Sequence, residues 1–452
     1  MGPDKNKLQK ILNQLDSENH EAALKELTTL FPADIAEMIN GLDGEGKKTV
    51  FLSLPPKIAA DVLLALDEES KNMTIEAMDH KKLIAIVEEM ETDDAADFIA
   101  ELPNENAKII LNSISFEESV EVQKLLAYPE DSAGGLMQTE MISIKETTTV
   151  KDAINRLKIF SKTNSAEDIH NVFVTNVKGE LTGILPINRL ILNSANTPIN
   201  RLINKDPVSV EANVDQEEVA QIFKKYDMLS LPVKDREGKL LGRILVDDIM
   251  DVLEEEATED ILKIAGTDEE ELLFTHSVFK IAGFRLPWLL YSFAGGITTG
   301  ALIWLFKITL KEVISLALFM PVIMGMGGNV GMQSSAIVVR GIATGRINLS
   351  NFVKLLLKEI KVGLFLGLIC GSIAGLVAKI WHGNQGLGLV VGISMFLAIF
   401  SAAFLGSMIP MIFHRFKIDP AIAAGPIVLA VNDLVGLTIY FGLATMLLRF
   451  LL

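Results

Sequence analysis

The sequence is poor in the residue patterns that disulfide-bonded proteins and many enzymes need. Cys370 is the single cysteine and lies in an apolar stretch, so no disulfide forms within the chain. The six histidines are scattered without metal-ligand spacing, and neither a P-loop nor an HExxH motif occurs. The sequence therefore lacks the motifs of a nucleotide-hydrolysing pump and of an intramembrane zinc protease, and we expect that the protein is not an enzyme.

Acidic residues are almost missing from the C-terminal part. Residues 1–275 hold 54 of the 58 Asp and Glu but only 28 of the 41 Lys and Arg, which leaves a net charge of −26. Residues 276–452 hold the remaining 4 acidic and 13 basic residues, a net charge of +9. A strongly acidic soluble module is thus joined to an apolar membrane module. So much negative charge repels nucleic acid and attracts cations.

Residues 5 to about 127 repeat a short amphipathic pattern typical of helices. Segments such as FPADIAEMINGL and PPKIAADVLLAL carry an apolar stripe and a polar face. Pro32 and Pro56 suit the first turns of such helices. Short helices cannot each bury a stripe alone, so the sequence predicts a small α-superhelix in an N domain of residues 1–129.

Residues 130–253 change to strands alternating with helices, and the pattern occurs twice. In each copy a strand and a helix precede two strands joined at a glycine turn, and a second helix follows. Gly179 and Gly183 of the first copy correspond to Gly238 and Gly242 of the second. The pattern resembles a tandem pair of cystathionine-β-synthase (CBS) domains, which form one α/β regulatory unit.

Many CBS modules bind adenine nucleotides through a glycine, then a Thr or Ser, and then an Asp that holds the ribose. The first copy runs from Gly183 to Arg189 as GILPINR, with neither the hydroxyl nor the Asp. The second runs from Gly242 to Asp248 as GRILVDD, which keeps the Asp and lacks the hydroxyl. We therefore expect weak or absent ATP binding by residues 130–260.

An acidic helix is predicted over residues 247–266, within a connecting segment of residues 247–275. Its sequence, DDIMDVLEEEATEDILKIAG, places Met250, Leu253 and Ile261 at helical spacing and charged residues elsewhere. Basic residues usually flank a membrane span at this position. Two interpretations stay open: a solvated linker, or a helix whose carboxylates hold cations against those of the preceding domains.

Residues 276–452 predict an all-α membrane domain with five spans. Apolar segments of sufficient length cover about 284–306, 313–340, 352–379, 387–413 and 421–449. Seven Lys and Arg lie in the loops of one side against four on the other. By the positive-inside rule the N-terminus is cytoplasmic and the C-terminus outside. The polar start, MGPDKNKLQK, shows no signal peptide, so we expect a multi-pass protein of the cell (inner) membrane.

The fifth segment carries one acidic residue, Asp433, near its middle. A carboxylate at that depth costs roughly 2.5–3.5 kcal/mol on insertion scales, so it should face a water-filled path or a partner. Asn432 adds a polar neighbour, and Gly425-Pro426 can free backbone carbonyls towards the same space. Neutralisation by a Lys or Arg of another helix stays open. However, no basic residue occurs at mid-membrane depth elsewhere, which favours a cation pathway.

The membrane motifs and the order of the parts resemble the MgtE family of magnesium channels and transporters. The second span ends PVIMGMGGNVGMQSSAIVVRGIATGRI, and the fifth carries DP, GP and ND followed by GL and IYF. A helical N domain, paired CBS domains and a connecting helix ending EEEATEDI precede them. Met332 departs from the family pattern GGNVGNQS, which puts any polar role of that position in doubt. The resemblance implies a homodimer with one pore.

The resemblance also implies roles for particular residues. Asp433 matches the pore carboxylate at which a hydrated Mg²⁺ is selected, and Asn432 lies beside it. Ala424 and Gly425 fall where backbone carbonyls face the pore. In the cytoplasmic part the family binds regulatory Mg²⁺ between domains, and the matching positions are Asp94, Asp227, Asp248, Asp251, Glu256, Glu259 and Asp260.

These observations predict a Mg²⁺ channel or transporter that works in magnesium homeostasis. Mg²⁺ keeps several waters, and two chains around a twofold axis would bring two carboxylates to one hydrated ion. We expect Mg²⁺ to flow down its electrochemical gradient, and cytoplasmic Mg²⁺ bound between the acidic surfaces to close the pore. The alternative is a proton- or Na⁺-coupled secondary transporter of divalent cations, since an intramembrane acid can also relay protons.

Overall fold

The chain forms two compact units, Met1–Val252 and Leu253–Leu452. A computed structural model describes residue 11 and residues 20–162, 169–268, 278–347 and 351–447. Residues 269–275 of the predicted connecting segment and residues 448 and 449 of the predicted fifth span lie outside the described residues.

The N-terminal part of the first unit is a series of short helices, as the amphipathic pattern predicts. Prolines occupy the first turns of the two helices that were expected to begin with them. Aspartates cap other helices: Asp43 accepts a hydrogen bond from the Gly46 N–H at 2.9 Å, and Asp67 accepts one from the Ser70 N–H at 2.7 Å. In residues 20–125 the helices are α1 His20–Leu27, α2 Pro32–Asn40, α3 Gly44–Ser53, α4 Pro56–Leu64, α5 Glu68–Ala77, α6 His80–Val87, α7 Thr92–Glu101, α8 Asn104–Leu111 and α9 Phe116–Leu125.

In the described part of residues 130–253 two small sheets follow, and they confirm the internal repeat. In each copy the first strand pairs in parallel with the second, which pairs antiparallel with the third. Gly179 and Gly238 have φ of 88° and 85°, a conformation that glycine adopts readily, and this explains the glycine at both turns. The strands are β1 Ser143–Lys145, β2 Asn171–Thr175, β3 Leu181–Pro186 and β4 Asn204–Lys205 in the first sheet, and β5 Val210–Glu211, β6 Ser230–Lys234 and β7 Leu240–Leu245 in the second.

Helices complete both copies, and the second copy shares a core with the N-terminal helices. Buried Phe98 of α7 belongs to the same apolar cluster as Val233 and Ile244 of the second sheet. The first copy has its own core around Val172 and Leu185. The helices are α10 Val150–Phe160, α11 Ile187–Ile191 and α12 Gln216–Tyr226, and the connecting helix runs over Val246–Ala265.

Among the residues that the structure describes, the second unit contains five helices long and apolar enough to cross a membrane, which confirms the five predicted spans. Spans 1 to 5 are Val278–Leu305, Ile314–Ala343, Phe352–His382, Gln385–Arg415 and Pro420–Met446. The fold is therefore a helical N domain, an α/β CBS pair and an all-α membrane domain, as the sequence predicts.

A row of glycines lets span 3 approach span 4 closely. A Cβ added at Gly367 would lie 2.9 Å from the Phe396 carbonyl oxygen, and one added at Gly371 would lie 2.6 Å from that of Gly392. Contacts this short leave no room for a side chain, so the two helices pack backbone against backbone.

Candidate functional site

Span 5 is interrupted near its start, where the sequence has Gly-Pro. Asp419 caps the span by accepting a hydrogen bond from the Ala421 N–H at 2.8 Å. Three helical residues, Pro420–Ile422, lead into a π turn over Ala423–Ile427, which is kinked at Gly425, where φ of −95° and ψ of −112° are not helical. Regular helix resumes over Val428–Met446. Pro426 supplies no N–H to the helical ladder, which explains the wider turn at this point.

Asp433 lies on the regular part of span 5 and is half-buried. No described residue forms a hydrogen bond or an ion pair with its carboxylate, so a neutralising Lys or Arg is absent from the part of the chain that the structure describes. The neighbouring Asn432 is only 4% exposed, and neither of its amide atoms has a hydrogen-bond partner. The carboxylate of Asp433 and the amide of Asn432 therefore remain available to bind a ligand within an apolar span.

The glycine motif of span 2 makes the space that Asn432 occupies. A Cβ added at Gly331 would lie 1.8 Å from Asn432 Nδ2 and 2.9 Å from its Cγ. On its other side, Gly331 presents its carbonyl oxygen to Gly406 of span 4, where an added Cβ would lie 2.3 Å away. Met332, which departs from the family motif, is half-buried on the same helix.

The end of the connecting helix contacts the π turn of span 5. Ala424 and Gly425 are both buried, and a Cβ added at Gly425 would lie 2.4 Å from the Ile264 carbonyl oxygen. Lys263 Nζ forms ion pairs with Asp419 at 2.7 Å and with Glu259. Only a residue without a side chain at position 425 permits this approach.

The electrostatics of this contact are dominated by carboxylates. Burial, the negative charge of Asp419 and that of Glu259 raise the pKa of Asp260 to about 6, against the positive charges of Arg340 and Lys263. Although burial alone would lower it, the pKa of Lys263 is raised because Asp419 and Glu259 accept its hydrogen bonds. Glu256 is half-buried one turn earlier on the same helix.

A second acidic cluster lies within the first unit, between α7 and the start of the connecting helix. Burial raises the pKa of Asp248 to about 7, with contributions from the negative charges of Asp247, Asp94 and Glu91 and against a backbone hydrogen bond from Leu245. Burial raises the pKa of Asp94 to about 6, with contributions from several carboxylates, Asp251 among them. The structure therefore brings together three predicted residues: Asp94, Asp248 and Asp251.

Sequence reasoning missed two members of this cluster, Glu91 and Asp93. Burial raises the pKa of Glu91 to about 7, with a further contribution from Glu140, and raises the pKa of Asp93 well above its usual value. Gln138 donates to Glu91 at 2.5 Å and accepts two hydrogen bonds from the buried Arg243, at 3.0 and 2.7 Å. Glu91 also precedes the Asp93-Asp94 pair in the sequence, and that run of acids was the available signal.

Asp227 lies in another part of the first unit. It ends α12 with φ of 50° and lines a cleft of about 690 Å³ between the two CBS copies. Asn188, from the segment that lacks the nucleotide-binding Asp, lines the same cleft. In the described ranges no three His, Cys, Asp or Glu side chains converge closely enough to hold a metal ion by themselves.

The architecture defines a class: a multi-pass membrane protein in which a helical domain and a pair of α/β repeats precede the spans. Family comparisons agree. The family described as "Divalent cation transporter" (MgtE) matches residues 320–443, the "MgtE intracellular N domain" matches residues 30–131, and "CBS domain" matches residues 133–195 and 199–255. The chain belongs to the MgtE family.

Relatives match over most of the chain. It is 35% identical over 416 residues to "Magnesium transporter MgtE" of Bacillus subtilis (strain 168), covering 92% of each chain. It is 35% identical over 449 residues to the protein of that name from Thermus thermophilus, covering 98% of this chain and 99% of the relative. A 38% match to the Enterococcus faecalis protein covers 74% of this chain and 73% of the relative.

Two solved structures resemble about half of the chain. One, described as "Crystal structure of the soluble part of a magnesium transporter", has a TM-score of 0.52 at 30% identity and covers 56% of this chain and 99% of its own. The other is the cytosolic domain of "the Mg2+ channel MgtE in complex with ATP", with a TM-score of 0.51 at 32% identity and coverage of 54% and 99%.

Proposed function

We propose that this protein is a Mg²⁺ channel of the cell membrane through which Mg²⁺ enters down its electrochemical gradient. The single observation that carries the proposal is the unpartnered carboxylate of Asp433 beside the unpartnered amide of Asn432. An ionisable group kept at mid-membrane depth with neither a counter-charge nor a hydrogen-bond partner supports an ion pathway. The named relatives, which are magnesium transporters, support Mg²⁺ as the substrate.

One Asp433 carboxylate per chain is too little to bind a divalent ion tightly, so we propose a homodimer with the pore on its twofold axis. Two carboxylates and two amides would then surround one hydrated Mg²⁺, which keeps its inner waters. The carbonyl groups of Ala424 and Gly425, at the π turn, would face the same pathway. The N-terminus would be cytoplasmic and the C-terminus outside.

The test is Mg²⁺ influx into liposomes that contain the purified protein. Asp433→Asn keeps the size of the side chain and removes its charge, so we expect influx to fall nearly as far as in Asp433→Ala. Glu312→Gln, at an exposed acidic position of the same unit, is the matched control and should behave as wild type. Influx near wild type in folded Asp433→Asn would refute the assignment.

We propose that cytoplasmic Mg²⁺ closes this pore by binding to the acidic clusters. In the first unit the carboxylates of Asp94, Asp248 and Asp251 lie close enough to raise the pKa of the buried ones, and a divalent cation would offset their repulsion. Glu256, Glu259 and Asp260 would supply further ligands on the connecting helix, and Asp227 in the CBS pair. Their oxygen ligands fit hydrated Mg²⁺.

Protease sensitivity of residues 1–275 in the full-length protein tests this regulation. A ligand shifts an equilibrium only by its differential affinity, so millimolar Mg²⁺ should protect the wild type. Combined neutralisation of Asp227, Asp248, Asp251 and Glu259 should abolish that protection. Protection that survives in this variant, or is absent from the wild type, would contradict the proposal.

Nucleotide binding has a candidate location in the cleft lined by Asn188 and Asp227. A cytosolic relative was solved with ATP, which supports a nucleotide as ligand of this cleft. The asparagine at position 188 has one acceptor oxygen where a carboxylate has two, so it cannot accept one ribose hydroxyl on each oxygen. We therefore propose that ATP binds weakly here.

A proton- or Na⁺-coupled transporter is the second candidate, and it shares the Asp433 site. Single-channel recording separates the two, because discrete openings that carry a divalent ion require a continuous pore. We propose domain limits of 1–129, 130–253, 247–275 and 276–452 for the N domain, the CBS pair, the connecting segment and the membrane domain.

A further inference from the structure

An acidic side chain far from Asp433 in the sequence is buried in the membrane unit. Glu359 lies on span 3 and is 4% exposed. Its Oε2 accepts a hydrogen bond of 2.9 Å from Ser334 Oγ of span 2, which is also 4% exposed. No Lys, Arg or His among the described residues pairs with Glu359, and the neighbouring Lys358 and Lys361 are exposed. A buried ionisable group in a membrane helix needs an explanation.

Span 4 holds the Glu359 face of span 3 in place. Glu359 begins a row that continues at every fourth position with Gly363, Gly367, Gly371 and Gly375. A Cβ added at Gly363 would lie 2.8 Å from Ala403 Cβ, and the following glycines are equally tight. This face is closely packed against span 4, so Glu359 offers span 2 an acceptor on a well-supported helix.

Ser334 is close to the ion pathway along span 2. It lies three residues, nearly one helical turn, from Gly331. Gly331 is the residue against which the Asn432 amide packs, and Asn432 precedes Asp433. A rotation of span 2 that moved Ser334 away from Glu359 would also move the surface on which Asn432 rests.

We propose that Glu359 is a positioning residue for Mg²⁺ conduction. By accepting the Ser334 hydrogen bond it fixes the rotation of span 2, and span 2 fixes Asn432 beside Asp433. The inference rests on the proposed transport function. Replacing only one partner leaves the other buried without a hydrogen bond, which makes the pair act as a unit.

The experiment measures Mg²⁺ influx against Mg²⁺ concentration in liposomes that contain the full-length protein. Glu359→Leu and Ser334→Ala should each change the half-saturating Mg²⁺ concentration and lower influx about tenfold. Glu359→Gln keeps an acceptor oxygen and should stay within about threefold of wild type. The double variant should be no worse than either single variant, because coupled losses are not multiplied. Glu312→Gln, at an exposed site, is the control.

A merely structural role gives a different result. It lowers the amount of folded protein and the maximal influx but leaves the half-saturating concentration unchanged. An unchanged half-saturating concentration in Ser334→Ala, or multiplied losses in the double variant, would overturn the inference. If Glu359→Leu does not fold, Ser334→Ala and Glu359→Gln decide by the same criteria. Absent influx in wild type would refute the transport proposal itself, whereas normal wild-type influx with unaffected variants refutes only the positioning role.

Discussion

Gly331→Ala should impair Mg²⁺ transport far more than it impairs folding. The new Cβ would stand 1.8 Å from Asn432 Nδ2, where ordinary contacts are 3.4–4 Å. Forcing a methyl group into a packed site costs about 1–3 kcal/mol. Replacing glycine by alanine in a helix returns about 1 kcal/mol. The net loss of stability is therefore about 0–2 kcal/mol, while the amide beside Asp433 must move by more than an ångström.

The assay compares Mg²⁺ influx into liposomes at equal amounts of folded protein. We expect Gly331→Ala to lose at least about tenfold, which corresponds to about 1.4 kcal/mol. Gly300→Ala is the control, since an added Cβ there meets nothing within 4 Å. Gly331→Ala combined with Asn432→Ala should match Asn432→Ala alone, because the clash is removed. Wild-type influx in Gly331→Ala would refute the packing argument.

Three further predictions follow from the electrostatics and from the CBS cleft. Lys263→Met removes the ammonium group between Asp419 and Glu259 and so weakens the contact between the connecting helix and span 5. Mg²⁺ uptake at high cytoplasmic Mg²⁺ should then rise about fivefold, as expected for an ion pair contributing about 1 kcal/mol. Unchanged uptake would contradict this prediction. Burial and neighbouring carboxylates raise the pKa of Asp248 to about 7, so without Mg²⁺ the folded first unit should become more protease-resistant as the pH falls from 8 to 6. Asp248→Asn should reduce the slope of that profile, and a profile of opposite slope in the wild type would show that the sign is wrong. Calorimetry on residues 130–260 should show ATP binding no tighter than about millimolar, and clearly tighter binding would overturn the expectation drawn from the first CBS copy.

Local chemistry made much of the fold predictable. Pro32 and Pro56 begin helices because a proline lacks only an N–H that the first turn does not use. The turn glycines of both CBS copies are needed for positive φ, so they mark the repeat in the sequence. The five spans followed from the length of their apolar runs, and a charge in the middle of one of them identified Asp433.

Contacts between distant segments were not predictable in this way. Glu91 and Arg243 are connected through Gln138, and Lys263 meets Asp419 from a distance of 156 residues in the sequence. Nothing in the local pattern distinguishes Glu359 from a solvated charge near the end of a span. Its burial and its hydrogen bond from Ser334 depend on how spans 2, 3 and 4 pack.

The ion pair of Lys263 gives the contact at the π turn a counter-charge whose amount does not depend on the concentration of free Mg²⁺. The ammonium group is covalently attached, so it is present in fixed stoichiometry and dilution cannot remove it. The carboxylates of Asp419 and Glu259 therefore stay partly neutralised when free Mg²⁺ falls to zero. If Mg²⁺ closes the pore as we propose, the lysine already supplies part of the neutralising charge, so closure titrated against Mg²⁺ should start from a baseline above zero.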